Sequence, residues 1–365
     1  MLKSRLVIMF VLLMTVFAAA ADYSGSLSLT YDTNLKLQPE FTAAASFYGG
    51  QLNVKLKKGL TNWDEDLLLP SLAVEANLFS GSYDFIYKLL GFDWRYEKLL
   101  SSLGDRRYFV AHRIKAAKND WPIYLDFFET SVLKGNNLWL MYNPVPFLPV
   151  YLVQHIGLNN KEVNNRDINV DMGFNLGYQF KNQALTFVEV IVDDFPAIPW
   201  IDVQLPIMGV TLGYNSPEIA KHNGTMRYAL GYTANTRYLH AHYGGLMRYT
   251  NSNEFLGDDL GPDAQRFMVA FKHTRANLTG GLNLSFEQHG PGDLTENWLQ
   301  LGREEAFKQF FLSEIVENKL RLGASLEKNF NKLVFTTKVA LTRVIPKESG
   351  AFTEYNGNIS LGYQF

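Results

Sequence analysis

Seven charged residues sit at strand-alternate positions among apolar neighbours: Arg113, Lys115, Glu189, Asp193, Arg227, Arg248 and Glu287. If the apolar neighbours face lipid, these seven face a wet interior. Rings of charge in a pore select solutes or bind a charged polymer such as an acidic polysaccharide. The same residues could instead pair with one another and stiffen a polar lumen. Asp258, Asp259 and Asp263 form an acidic loop cluster. They could give oxygen ligands to calcium or to sugar hydroxyls, but the full spacing of a calcium loop is missing. With Gly257, Gly261 and Pro262 beside them, turn chemistry is the simpler reading. Trp121, Trp139 and Trp200 could stack on sugars or serve as an interfacial belt. His240 and His242 have strand spacing on one face, which suits a metal pair, but no third ligand stands out.

Catalysis has little support among these residues. The chain has no Gly-x-Ser-x-Gly, no His-Glu-x-x-His and no Gly-rich phosphate loop leading into a helix. A membrane-embedded hydrolase would need a Ser–His pair that only the fold could bring together. The sequence therefore implies a protein that is not an enzyme and needs no cofactor.

Strands must position these residues. The last nine, Gly357 to Phe365, alternate without a break: Ile359, Leu361, Tyr363 and Phe365 on one face, Asn358, Ser360, Gly362 and Gln364 on the other. The ending Leu-Gly-Tyr-Gln-Phe also occurs at Leu176 to Phe180. A closing strand with a terminal aromatic resembles that of bacterial outer-membrane β-barrels, and this resemblance implies that the barrel assembly machinery reads Phe365. Val170 to Phe180, the turn Lys181-Asn182-Gln183, and the Val188, Val190, Val192 strand make the clearest hairpin. Short turns are expected near Gly49, Lys118, Lys181 and Asn329. Longer segments at 136–167, 251–263 and 289–305 suit outer loops. Gly91 to Gly104 is irregular and reads as a loop with a short helix. The pattern predicts an all-β fold, a transmembrane antiparallel β-barrel of about 16 strands (range 14–18), with short periplasmic turns and long outer loops.

Lys3 and Arg5, the apolar run Leu6 to Phe17 and the small residues Ala18 to Ala21 have the layout of a secretory signal peptide. Residues 1–21 are thus expected to be a signal and 22–365 the barrel. The apolar run is 12 residues, too short for the roughly 20 of a spanning helix. Pro144, Pro146 and Pro149 exclude a helix from the most apolar later stretch. Aromatic residues make up 14% of the chain, enough for girdles at two membrane interfaces. A net charge of −2 gives no indication of nucleic acid, and the lack of cysteine excludes a disulfide framework.

Three stretches resemble the Wzi-type capsule-assembly family of outer-membrane barrels. They are Ala111-His112-Arg113; Tyr142-Asn143-Pro144 through Gly157 to Asn160, Asn164-Asn165 and on to Asp193-Asp194-Phe195; and Leu256 to Ala264 followed by His289-Gly290. The chain departs from capsule-anchoring members that carry an additional N-terminal helical bundle. The resemblance implies an outer-membrane protein, in contact with membrane lipid, that holds or assembles surface polysaccharide. The alternative from composition is a porin for small solutes.

Overall fold

The computed structural model describes residues 23–31, 37–47, 50–62, 75–89, 92–104, 107–118, 121–134, 168–193, 207–221, 223–240, 250–251, 254–255, 260–293, 308–309, 311–330 and 333–363, with the backbone alone for 23–85, 87–89, 100, 102, 104, 134, 168, 250–251, 254–255 and 362–363. The strands are β1 (Tyr23–Tyr31), β2 (Leu37–Phe47), β3 (Gly50–Asn62), β4 (Glu75–Leu89), β5 (Phe92–Gly104), β6 (Arg107–Ala117), β7 (Ile123–Lys134), β8 (Ile168–Gln179), β9 (Leu185–Asp193), β10 (Met208–Asn215), β11 (Ile219–Lys221), β12 (Gly224–Asn235), β13 (Thr250–Asn251), β14 (Glu254–Phe255), β15 (Ala264–Arg275), β16 (Leu278–His289), β17 (Glu317–Phe330), β18 (Leu333–Pro346) and β19 (Phe352–Tyr363).

Seventeen of these form one antiparallel sheet in the described residues. Each pairs with its neighbour in the chain, apart from β13 and β14, which pair only with each other. β10 and β11 pair with successive stretches of β12, so they are one interrupted strand and the wall has 16 positions. At the interruption the Ser216 hydroxyl accepts from the Tyr228 amide at 2.8 Å and keeps that donor satisfied. β1 and β19, the ends of the meander, lie alongside each other.

Alternation decides the two faces. Ile123, Leu125 and Phe127 on β7 are exposed, as are Phe174, Leu176 and Tyr178 on β8 and Leu282, Leu284 and Phe286 on β16. Ladder partners share a face, so the pairs Phe127–Phe174 and Phe267–Phe286 extend one apolar surface from strand to strand. An exposed apolar patch this continuous is excessive for a water-soluble protein and suits lipid. The intervening residues, such as Asp126, Asn175 and Glu189, are buried on the opposite face.

Short turns on one rim join β6 to β7, β8 to β9, β15 to β16 and β17 to β18, and the two-residue connection from β5 to β6 is on the other. In the β8–β9 turn the Asn182 side chain accepts from the Ala184 amide at 3.1 Å and Gln183 takes φ 68°. The long connections leave the other rim, and the loop after β12 turns back onto the inner wall. One expectation is corrected. Gly91 to Gly104 holds a strand, β5, and no helix. Its alternation is obscured because Leu99 and Leu103 are buried on the face of Arg95 and Glu97, while Lys98 takes the apolar parity, and the register shifts between Ser102 and Gly104.

Candidate functional site

The interior wall carries three groups of polar residues. The first is on β5, β6 and β7. Arg113 is buried at 3% exposure, with its Nε 2.6 Å and one terminal nitrogen 2.5 Å from Asp126 Oδ2. Its other terminal nitrogen is 3.6 Å from Glu97. A buried guanidinium flanked by two carboxylates is a structural pair, costly to break from one side. Lys115 lies on the same face with Nζ 5.0 Å from the centre of the Tyr124 ring. Tyr124 and Phe128 lie over glycines of β8. A Cβ built on Gly177 would fall 1.9 Å from Tyr124, and one on Gly173 would fall 2.3 Å from Phe128 and from the Val190 carbonyl. The absence of side chains on β8 lets these rings fill the wall.

The second group is on β15, β16 and β17. Buried Glu287 accepts from Arg266 Nε at 3.0 Å and sits 3.3 Å from His289 Nε2 and 4.0 Å from Arg321. The sequence reading did not place Arg266, His289 and Arg321 at this site, although Arg266 is the ladder partner of Glu287, His289 is two residues along β16, and Arg321 is diagonal to it, opposite Ser285.

The third group seats the loop after β12. Glu189 and Asp193 are buried on the inner face of β9, and Asp193 is the ladder partner of Asp171 on β8. His240 reaches the same place, with Nδ1 2.5 Å from Asp171 Oδ2. Leu239 rests on Gly209, where a Cβ would meet it at 3.0 Å. His240 is in a turn with φ 63°, so its expected strand spacing with His242 is corrected: β12 ends at Asn235 and Leu239 N bonds back to Thr236 O. The histidine clamps a loop to the wall, and no group of three or more metal-ligating side chains occurs among the described residues.

Asp263 is the centre of this end of the molecule. It is wholly buried with φ 50°. Its Oδ1 accepts from Leu312 N at 2.7 Å and its Oδ2 from Gly292 N at 3.0 Å. Its own amide donates to Thr236 O, and its carbonyl accepts from Gly290 N. Two outer loops and the ends of β12, β15 and β16 therefore meet on one residue. The carboxylate accepts from backbone amides 29 and 49 residues along the chain, so it clasps a distant loop and does not close a local turn. Asp258, Asp259 and Arg248 lie outside the described residues, as do Trp139, Trp200, His242, Phe365 and residues 1–21. Trp121 is on the short-turn rim, 5.5 Å edge-on to Phe92 with Lys118 over its ring, as a belt residue would be. Arg227 is on the inner face of β12, opposite Lys272.

Sequence reading also missed a polar cluster on the outward parity of β5 to β7. Lys98, His112 and Glu129 are ladder neighbours there, all buried, and the Tyr96 hydroxyl lies 2.7 Å from His112 Nδ1.

No family model matches the sequence, and no curated protein matches it. Solved structures do match in fold. Wzi, an outer-membrane protein involved in group 1 capsule assembly in Escherichia coli, described as a carbohydrate-binding β-barrel, superposes with a TM-score of 0.59 at 11% identity, over 96% of this chain and 86% of that one. BamA from Haemophilus ducreyi lacking POTRA domains 1–3 gives 0.49 at 10% identity, over 94% and 70%. OprD of Pseudomonas aeruginosa gives 0.47 at 11% identity, over 94% and 95%. At these identities the likeness is one of fold. With its continuous apolar outer face and charged inner wall, this chain is a bacterial outer-membrane β-barrel protein.

Proposed function

We propose that the barrel takes part, without catalysis, in holding or assembling surface polysaccharide at the outer membrane. The observation that carries this reading is the tied outer rim. Asp263 fixes two long loops to each other, and His240 fixes one of them to the inner wall. A rim fixed in this way is a preorganised polar surface, which binds sugars at low ordering cost. The carbohydrate binding described for Wzi supports the reading. In the same reading residues 1–21 are removed on export, so protein from the envelope should begin near Ala21 or Asp22; recovery of intact Met1 would exclude cleavage. The barrel assembly machinery engages the closing strand through Phe365, and the apolar face meets membrane lipid.

The test is deletion of the gene in its own host, with measurement of polysaccharide retained on the cell against that shed to the medium. Increased shedding, restored by the wild-type chain and not by Asp263→Ala, is the expected result. Unchanged retention overturns the reading. A second reading, a porin, draws on the water-exposed inner residues Lys272, Asn283, Lys338 and Asn356. Steady conductance steps in planar bilayers would favour it.

A further inference from the structure

One row of the inner wall has cations without acids. Across β12 and β15 to β19 the ladder aligns Arg227, Lys272, Gly281, Ser325, Lys338 and Asn358. This row lies toward the short-turn rim, away from the Asp263 loops. Arg227 and Lys272 are directly opposed, an arrangement of like charges that weakens a sheet. Neither they nor Lys338 form an ion pair among the described residues, unlike Arg113 and Arg266. Lys272 and Lys338 are exposed to the lumen.

Between these two lysines the wall is low. Gly281 has no side chain, and a Cβ there would fall 2.4 Å from the Ser325 hydroxyl, which lies across the gap. In the next row Asn283 lies across Gly323 in the same way, at 2.0 Å from a built Cβ. Ala229, Ala270 and Ala340 continue that row as small residues, and Asn356 ends it. Lys272 and Lys338 are three strands apart, about 14 Å at strand spacing. The result is a trough with cations on both sides, a floor of hydroxyl and amide groups, and Asn356 and Asn358 beside it. Glu327 is one position below on β17 and forms no ion pair with the three cations among the described residues.

We propose that this trough binds a carboxylated saccharide: the cations take the carboxylates, and Ser325, Asn283, Asn356 and Asn358 take hydroxyls. Charge-assisted contacts supply the affinity, and the planar amides exchange donors and acceptors with a sugar ring. The proposal does not rest on the outer-rim reading, since it concerns the opposite end of the lumen and its ligand is identified by the wall alone.

The experiment is calorimetric titration of the full chain in detergent with trigalacturonate, with maltotriose as the neutral trimer. The charged trimer should bind at least about tenfold more tightly than maltotriose, and added salt should narrow the difference. Replacing Arg227, Lys272 or Lys338 singly by Gln should weaken it by about two- to fivefold each, the range of partly solvated ion pairs. Ser325→Leu keeps every charge and fills the floor, and should also abolish binding. The triple Gln variant should melt no earlier than the wild type, because it removes a like-charge opposition. Equal binding of the two trimers overturns the proposal. So does wild-type affinity in the triple variant or in Ser325→Leu, or loss of folding in the triple variant, which would make the row structural. Polysaccharide retention on cells is a separate readout, so failure here leaves the outer-rim test standing.

Discussion

Lysine scanning down β9 reads the depth and the face of the wall at once. Thr186, Val188 and Val190 share one face, with Tyr178, Leu176 and Phe174 as their β8 partners. Val190 is five residues beyond Leu185, the first residue of the strand at the short-turn rim. Five steps of strand rise are about 17 Å, or about 13 Å along the membrane normal at a tilt of about 40°. That is half of an apolar band about 25 Å tall, so Val190 stands near the midplane. Val190→Lys should therefore cost about 2–4 kcal/mol. Val188→Lys should cost less. Thr186→Lys, about 3 Å above the rim, should cost about 1 kcal/mol or less, including its hydroxyl bond to Gly213 O. The assay is reversible urea unfolding in lipid vesicles, followed by tryptophan fluorescence. A cost that fails to rise from Thr186 to Val190 would refute the assignment of this face to lipid. A ruinous Glu189→Lys alone would not, since Glu189 is buried on the inner face and any longer cation there meets packed wall.

Three further outcomes are expected. Asp263→Ala should free the 290–316 connection by removing both amide contacts, at about 1.5–3 kcal/mol, and limited proteolysis should cut that segment first. Gly177→Ala should cost about 1–3 kcal/mol through its clash with Tyr124, and the double variant with Tyr124→Ala should recover part of it, measured by the same unfolding assay. At the outer rim Lys347 donates to Glu314, which holds the Glu314 carboxyl below and the Lys347 ammonium above their ordinary ranges. Glu314's contribution is complete above the ordinary carboxylate range and is lost as pH falls through its lowered pKa; that of Lys347 is lost as pH rises through its raised one. Carbon-detected NMR titration of Glu314 should shift upward in Lys347→Gln, and an unmoved titration would break the pairing.

The strands were legible wherever the two faces meet different solvents. On β8 and β9 one face meets lipid and the other a charged wall, so period two is visible in the residues themselves. On β5 both faces are buried, Leu99 inward and Tyr96 outward, and the same period vanishes from the sequence. Arg113 and Glu287 were found from their parity, but their partners Asp126 and Arg266 are set by register across the ladder, which one strand read alone does not encode. The strand spacing expected for His240 fails because nothing in Tyr238-Leu-His240 signals the turn, where His240 has positive φ and its ring meets Asp171. Gly261 and Pro262 marked a turn beside Asp263, but the reach of its carboxylate to Gly292 and Leu312 is set by the tertiary fold and was not legible.

The order of the wall bears on how such a chain arises. Each strand bonds to its neighbours in sequence, so whole hairpins can be added or removed without re-pairing the others. β8 is the eighth wall position and β19 the sixteenth, and the sequence at the end of each reads Leu-Gly-Tyr-Gln-Phe, running toward the same rim. Eight strands are enough to close a small barrel on their own. The repeated ending therefore follows the eighth and the sixteenth wall positions, and a cut at the Lys181–Gln183 turn would divide the wall into two sets of eight strands without splitting one.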